Sequence, residues 1–318
     1  LDSFVFNGTA GLDTDANDSD TGGEIVWVLN SAATEIKGYV NGDESSGDLA
    51  ITLTLGGAAS IAPTNSGDVT VTAVLSDEFA NTFGDDIPAN FNLGSVTVTG
   101  SDGDDTVNGI VNVAVIDDVP SVEISADVTS GSASDTTDSV AEDGSDLTGV
   151  ITLVEGADQN ATLNVTLEGT DVLGGQISFT IDGTYQSQTQ TVTTVGNDLL
   201  GELTVDLETD GTASWTFNPA PDVDHSSTTP SFTFKAEIVD TDGDTDSDTH
   251  TITVTDGTDP QDAVTQSITL DEDDLSDGSS PSPSALTQIA TLSFTAGSDT
   301  LDSFVFNGTA GLDTDAND

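Results

Sequence analysis

Apolar residues fall on alternate positions in stretch after stretch of this chain, with Thr and Ser between them. The pattern is clear in Glu24–Asn30 (EIVWVLN), Leu49–Leu55 (LAITLTL), Asp68–Leu75 (DVTVTAVL) and Ser95–Thr99 (SVTVT). It returns in Ala161–Glu168 (ATLNVTLE), Gln176–Ile181 (QISFTI), Glu202–Leu207 (ELTVDL), Ser231–Val239 (SFTFKAEIV) and Thr249–Thr255 (THTITVT). A period of two predicts strands buried on one face. Clusters of Gly, Asp, Asn and Ser separate the stretches and supply turns. No segment carries a long helical period. Many short strands at close spacing predict an all-β fold built from β-sandwiches.

The chain also repeats itself. Residues 301–318, LDSFVFNGTAGLDTDAND, match residues 1–18 letter for letter. Identity over that length marks one period of a tandem array. Within the period, two joints look alike. Val115–Ser121 (VIDDVPS) and Val254–Gln261 (VTDGTDPQ) each place acids and a Pro after a final strand. Pro in that place prevents strand continuation. An acidic loop lies upstream of each joint, Ser101–Asp105 (SDGDD) and Thr241–Thr245 (TDGDT). A Glu-Asp pair lies downstream of each, in Ala141–Gly144 (AEDG) and Asp271–Asp274 (DEDD).

The period therefore divides into two related units. Residues 119–260 form one complete unit. Residues 1–118 form the later part of the other type, with its first strands missing. Residues 261–318 are expected to be the first strands of the next copy of that type. Such a cut leaves unpaired edges and half a core exposed. A longer polymer, or neighbouring chains that complete each other, is the expected remedy.

Composition narrows the function. The 318 residues hold 58 Asp and Glu against 2 Lys and Arg, a formal net charge of −56. Nucleic acid is not an expected partner, because the basic footprint for phosphate is missing. Cys is absent, so there is neither a disulfide framework nor thiolate chemistry. No apolar run is long enough to cross a bilayer as a helix, so no membrane insertion by this segment is expected. Self-repulsion at this charge opposes a compact state. Disorder does not fit, since Val, Ile, Thr and Leu alternate throughout. A solvated halophile-like surface, or carboxylates neutralised by bound cations, are the remaining readings.

Cation binding has candidate residues at both joints. Ca²⁺ takes six to eight oxygens, and carboxylates on a tight loop supply them. The first joint offers Asp102, Asp104, Asp117, Asp118, Glu142 and Asp143. The second offers Asp240, Asp242, Asp244, Asp259, Glu272 and Asp273, with Asp256 beside them. The alternative is a solvated acidic turn, since Asp and Gly are ordinary turn residues. Asp13 to Asp20, with Glu24 twelfth, has EF-hand spacing, but Asp18 replaces the sixth-position Gly and no flanking helices are predicted. A cation loop between strands is the open alternative there. Gly100–Asn108 nearly matches a calcium β-roll repeat, yet a single copy cannot stack on itself. Catalysis has little to stand on: His225 and His250 lie in separate segments, and no enzyme is expected. Trp27 and Trp215 fall in strand patterns and are expected in the core.

The Glu-Asp opening, the DxDGD loop before a last strand and the DxxP exit resemble the extender repeats of large RTX-type adhesins secreted by type I systems. Trp215–Asp246 (WTFNPAPDVDHSSTTPSFTFKAEIVDTDGDTD) is similar to cadherin-like and VCBS-type bacterial repeats. LDEDDL, LDSFVFNG and VIDDVP resemble the type I secretion repeat. The resemblance covers essentially the whole chain. It implies tandem Ig-like or cadherin-like sandwiches in a linear array, with Ca²⁺ at the joints. It carries calcium roles to Asp102, Asp104, Asp117, Asp118, Glu142 and Asp143, and to Asp240, Asp242, Asp244, Asp259, Glu272 and Asp273. The first loop has Asp105-Thr106 where the second has Thr245-Asp246, so the two sites should differ. The implied function is a calcium-stiffened spacer on the cell surface or outside the cell, in adhesion and biofilm. Its expected partners are neighbouring copies of the same repeat and laterally associated identical chains. The alternative is a strand-exchanged filament or a surface-layer scaffold of a halophilic or marine microbe.

Overall fold

The structure is a computed structural model. It describes residues 1–14, 25–40, 44–77, 79, 90–116, 118–127, 135–157, 159–168, 172–173, 175–194, 196, 198–226, 228–241, 243–309 and 312.

Each of the nine predicted stretches contains a strand among its described residues. The first part of the chain holds β1 (Ser3–Phe6), β2 (Val26–Leu29), β3 (Glu35–Val40), β4 (Asp48–Gly57), β5 (Val69–Leu75), β6 (Asn90–Ser101) and β7 (Thr106–Ile116). They form two antiparallel sheets, ordered β1-β6-β7 and β2-β3-β4-β5. Alternation turns one face of each sheet inward. Phe6, Val96 and Val113 from one sheet meet Ile36, Ile51 and Leu53 from the other in a single core. Trp27 is half-buried against that core.

A second sandwich follows. Its strands are β8 (Ser121–Ile124), β9 (Thr137–Ala141), β10 (Leu147–Val154), β11 (Thr162–Glu168), β12 (Val172–Leu173), β13 (Gln176–Thr180), β14 (Gln186–Thr194), β15 (Leu199–Leu207), β16 (Ala213–Pro219), β17 (Ser231–Val239) and β18 (Thr245–Thr255). One sheet runs β12-β14-β15-β16-β10-β8 and the other β13-β11-β17-β18-β9. Every described pairing is antiparallel except β9 with β18, which is parallel. In β17 the alternation is complete: Phe232, Phe234, Ala236 and Ile238 are buried, and the residues between them are not. Trp215 sits edge-on to Phe234 at 5.5 Å between ring centres. Its indole N–H donates to Ser125 O at 3.0 Å, so the one polar atom of the ring is satisfied. Across the ladder from Trp215 lies Gly149, where the indole and Ser125 O leave no room for a Cβ.

Two turns of this sandwich use the same three letters, Asp-Gly-Thr. Gly183 (φ 76°) and Gly211 (φ 83°) take the left-handed conformation that these turns need. Asp182 Oδ1 accepts from Thr184 N at 3.0 Å and from its hydroxyl at 2.5 Å. Asp210 does the same with Thr212, at 3.1 and 2.7 Å. The hydroxyl bond first, and the backbone bond second, hold both carboxyls below the usual aspartate range. A depressed folded-state pKa adds stability above the unfolded value of about 3.9, and that stability fades as pH falls through the folded pKa. Carboxyl NMR titration should place both midpoints below 3.8. Thr184→Val and Thr212→Val should return them toward that value. Midpoints unmoved by these substitutions would refute the hydroxyl as the main cause.

Among the described residues of 261–318 the expected strands are not formed. Among the described residues of that stretch there is one 3-10 turn, Glu272–Asp274, and one isolated bridge, Gln261 to Thr295. The physical reason is visible in the repeat itself. Phe6, in β1 and paired through β6, is 2% exposed; Phe306, the same residue of the second copy of the motif, is 102% exposed. A strand needs a neighbouring edge, and the described residues of the second copy have none.

Candidate functional site: the acidic ends of the second sandwich

The topology redistributes the candidate acids. β18 runs from Thr245 to Thr255, and β9 runs beside it in the same direction, with Ala141 opposite Thr255. The Glu142-Asp143 pair after β9 therefore lies where β18 ends. The DTDGD loop before β18 lies where β18 begins. The two are separated by 11 residues of strand, about 35 Å. The first joint set does not come together as expected. Asp118 lies at the leading end of the second sandwich, while Glu142 and Asp143 lie at its trailing end. Asp102 and Asp104 occupy the hairpin between β6 and β7, a strand of 11 residues upstream of the linker. The second set divides as well. Asp240 and Asp244 are at the leading end, Asp259 follows the trailing end, and Glu272 and Asp273 sit in the 3-10 turn beyond. Asp117, Asp242 and most of the EF-hand-like loop lie outside the described residues.

The two DxDGD-type loops differ in burial. Asp102 is exposed, and its Oδ1 accepts from Asp105 N at 2.8 Å and Asp104 N at 3.3 Å. These bonds, Asp105's first, hold its carboxyl below the usual range. These bonds close the hairpin turn on its own backbone. The nonapeptide-like stretch is part of the same hairpin rather than of a joint.

The leading end of the second sandwich is another matter. Asp240 is 6% exposed and Asp244 is 0% exposed. Asp240 Oδ1 accepts from Asp244 N at 2.8 Å and Gly243 N at 3.0 Å, which closes the loop. Its Oδ2 is buried and accepts no hydrogen bond. Neither lysine answers this charge: Lys37 lies 3.5 Å from Glu35, and Lys235 lies 2.5 Å from Glu237. Burying a carboxylate oxygen with no partner costs several kcal/mol. A hard cation would be one counter-charge for such an oxygen, but among the described residues no three acidic or His side chains converge at this end; the group that does converge is Glu142, His225 and Asp256. Asp118 is at the same end. Its carboxylate lies against Gly156, in the connection from β10 to β11, and Thr162 of β11 pairs with Val239, next to Asp240.

The trailing end gathers a second group. Glu142 is buried and takes hydrogen bonds from Val223 N (2.5 Å) and Gly257 N (3.4 Å). Glu142, His225 and Asp256 each bring a ligand atom within 4.8 Å of the others. His225 Nδ1 is 2.7 Å from Val223 O and its Nε2 is 3.2 Å from Val254 O. Both ring nitrogens thus face carbonyls, and use of the ring as a ligand would cost one of these contacts. Asp222, Asp224, Asp299 and Asp302 line the same open cleft. Asp299 is surface-exposed, yet partial loss of water around its carboxyl raises its pKa; the charges of Glu142, Asp256 and Asp222 add to this. Asp143 is pulled the other way, by bonds from the hydroxyl and N–H of Thr258. Sequence reasoning did not single out Asp222, His225 or Asp299. The signal available was the PDVDH stretch, whose Val223 N–H donates to Glu142.

His250 lies apart from this cleft. It is fully buried, with Nε2 2.9 Å from Asp138 Oδ2, and Asp127 N also donates to that oxygen at 2.8 Å. The pair ties β9 to β18 beneath Trp215. Trp215 itself is buried, as expected.

Among the described residues no helix is long and apolar enough to cross a membrane. No protein-family model matches the chain, and no curated protein matches it.

Proposed function

We propose that this chain is a structural extender segment of a large secreted bacterial surface adhesin or extracellular filament, stiffened by calcium and engaged in adhesion and biofilm rather than in catalysis. The observation that carries the reading is the buried, unbonded Oδ2 of Asp240 beside fully buried Asp244, in an all-β chain with a net charge of −56. Asp240, through its unbonded Oδ2, would contribute to holding the ion at the leading end. Glu142 and Asp256 would hold one at the trailing end. Bound calcium supplies counter-charge only to the folded geometry, so binding adds to stability. At calcium about 100-fold above Kd, one site contributes about 2.7 kcal/mol.

The test is thermal unfolding of the full chain in calcium and in EGTA at matched ionic strength. A calcium-specific rise of several degrees in the Tm of the second sandwich is expected. Asp240→Asn keeps the shape of the side chain and should remove most of that rise. Equal Tm in calcium and in EGTA with NaCl would leave a halophilic surface scaffold as the better account. One observation favours a second reading, a strand-exchanged extracellular filament: residues 262–309 carry strand-forming apolar residues, and these are exposed.

A further inference from the structure

We infer that Ser267–Asp271 of one chain adds to the free edge of β7 in a second copy, as a parallel strand with Ile268 opposite Val113 and Leu270 opposite Val115. This rests on the reading of the chain as a serial sandwich scaffold. It does not rest on calcium.

The second sandwich supplies the template. Its last strand, β18, is covered on one side by β9, which runs parallel to it with Val140 opposite Val254 and Asp138 opposite Ile252. In the first sandwich the last strand is β7, and in the sheet order β1-β6-β7 nothing described lies beyond it. β18 ends in Val254-Thr255-Asp256, and β7 ends in Val115-Ile116-Asp117. β9 runs into Val140-Ala141-Glu142-Asp143, and the tail carries Leu270-Asp271-Glu272-Asp273. Aligning both pairs on their acids fixes the register.

Two further observations agree with it. In that register the inward positions are apolar on both strands. Val113 is buried and Val115 packs against the core, while Ile268 and Leu270 are 55% and 56% exposed in the isolated chain. The second sandwich buries the polar pair Asp138 and His250 in this layer. The corresponding positions in the proposed pair are Ile268 and Val111. The polar partners are thus replaced together by apolar ones, which leaves no unpaired charge behind.

The occupant is a second copy because the tail is held away from β7 of its own chain. Gln261 N donates to Thr295 O (2.9 Å), Ser298 N to Thr258 O (2.8 Å) and Thr300 N to Asp222 (3.1 Å). These bonds tether both ends of the segment at the trailing end of the second sandwich, whereas β7 leads into the opposite end. The tail then continues into residues 301–306, which repeat the sequence of β1. Residues 262–300 are therefore the segment that precedes a second copy of the β1 sequence.

The chain has no Cys, so single cysteines report cleanly. Ala114→Cys and Thr269→Cys face each other on the exposed side in this register. Adjacent strands lie about 4.8 Å apart, within disulfide reach. Equal amounts of the two variants, mildly oxidised, should give a disulfide-linked dimer whose bridge maps to these positions. Ala114→Cys with Ile268→Cys, which points to the other face, should not. No bridge, equal bridging of both pairs, or, in a chain that carries both Ala114→Cys and Thr269→Cys, only an intramolecular bridge would overturn the inference. Sedimentation gives an independent reading. The chain should self-associate with rising concentration, and Ile268→Asp should abolish this; the residue is exposed in the free chain, so the substitution does not endanger folding. Both experiments are run in calcium and in EGTA. Bridging without a calcium effect on Tm removes the calcium reading alone, and a calcium effect without bridging removes this one alone.

Discussion

Trp215→Ala should cost the second sandwich about 3–5 kcal/mol, a large share of a domain stability of about 5–15 kcal/mol. The ring is 1% exposed and meets Phe234 edge-on, with His250 at 5.3 Å on another side. Removing it opens a cavity between β16 and β18. It also orphans Ser125 O, which accepts the indole N–H, and opens space beside Gly149, where the backbone of β10 packs directly on the indole. The buried Asp138–His250 pair would then border the cavity, and water reaching it would weaken the tie between β9 and β18. Urea unfolding followed by circular dichroism should show the transition of the second sandwich moving to lower denaturant. The transition of the first, whose core shares no residue with this one, should stay in place. A loss below about 1 kcal/mol would refute a load on this ring, because surface substitutions fall in that range.

Strands were legible where one face alone is apolar. β17 and β11 alternate so regularly that their burial can be read from the letters. β14 (QSQTQTVTT) escaped, because it buries almost nothing but Val192 and is held mainly through its ladder to β15. β9 escaped because its five residues include a buried Asp whose partner, His250, is far away in the chain. The candidate site was legible as composition and not as geometry. DTDGD, AEDG and TDGTDP announce acidic loops, but the parallel pairing of β9 with β18 decides which loops share an end, and a parallel pairing leaves no local mark. Reading neighbours in sequence as neighbours in space set Glu142 beside Asp118, when the fold sets it beside Val223 and Gly257. Burial was equally hidden: Asp102 and Asp240 stand in near-identical motifs, and only the packing around the second makes its carboxylate costly.

The repeated motif offers a test in which sequence is held constant and context alone varies. Phe6→Ala should cost the first sandwich about 3–5 kcal/mol. Phe306→Ala, in the same eighteen-residue sequence, should change the stability of the monomeric chain by less than about 0.5 kcal/mol. Phe6 lies in β1, whose residues pair with Val98 to Ser101 of β6, and its ring is enclosed with Val96, Ile36 and Leu53. Phe306 has no ladder and no cover. Intrinsic preference is identical at the two positions, so the whole difference must come from the neighbouring edge and the core it closes. Measured at a concentration where the chain is monomeric, equal losses would mean that the second copy of the motif is folded against something in solution. At concentrations where chains associate, the Phe306 substitution should stay silent if only Ser267–Asp271 docks. It should gain a cost if the motif also displaces β1 of the receiving copy, so the pair of substitutions separates simple strand addition from full strand exchange.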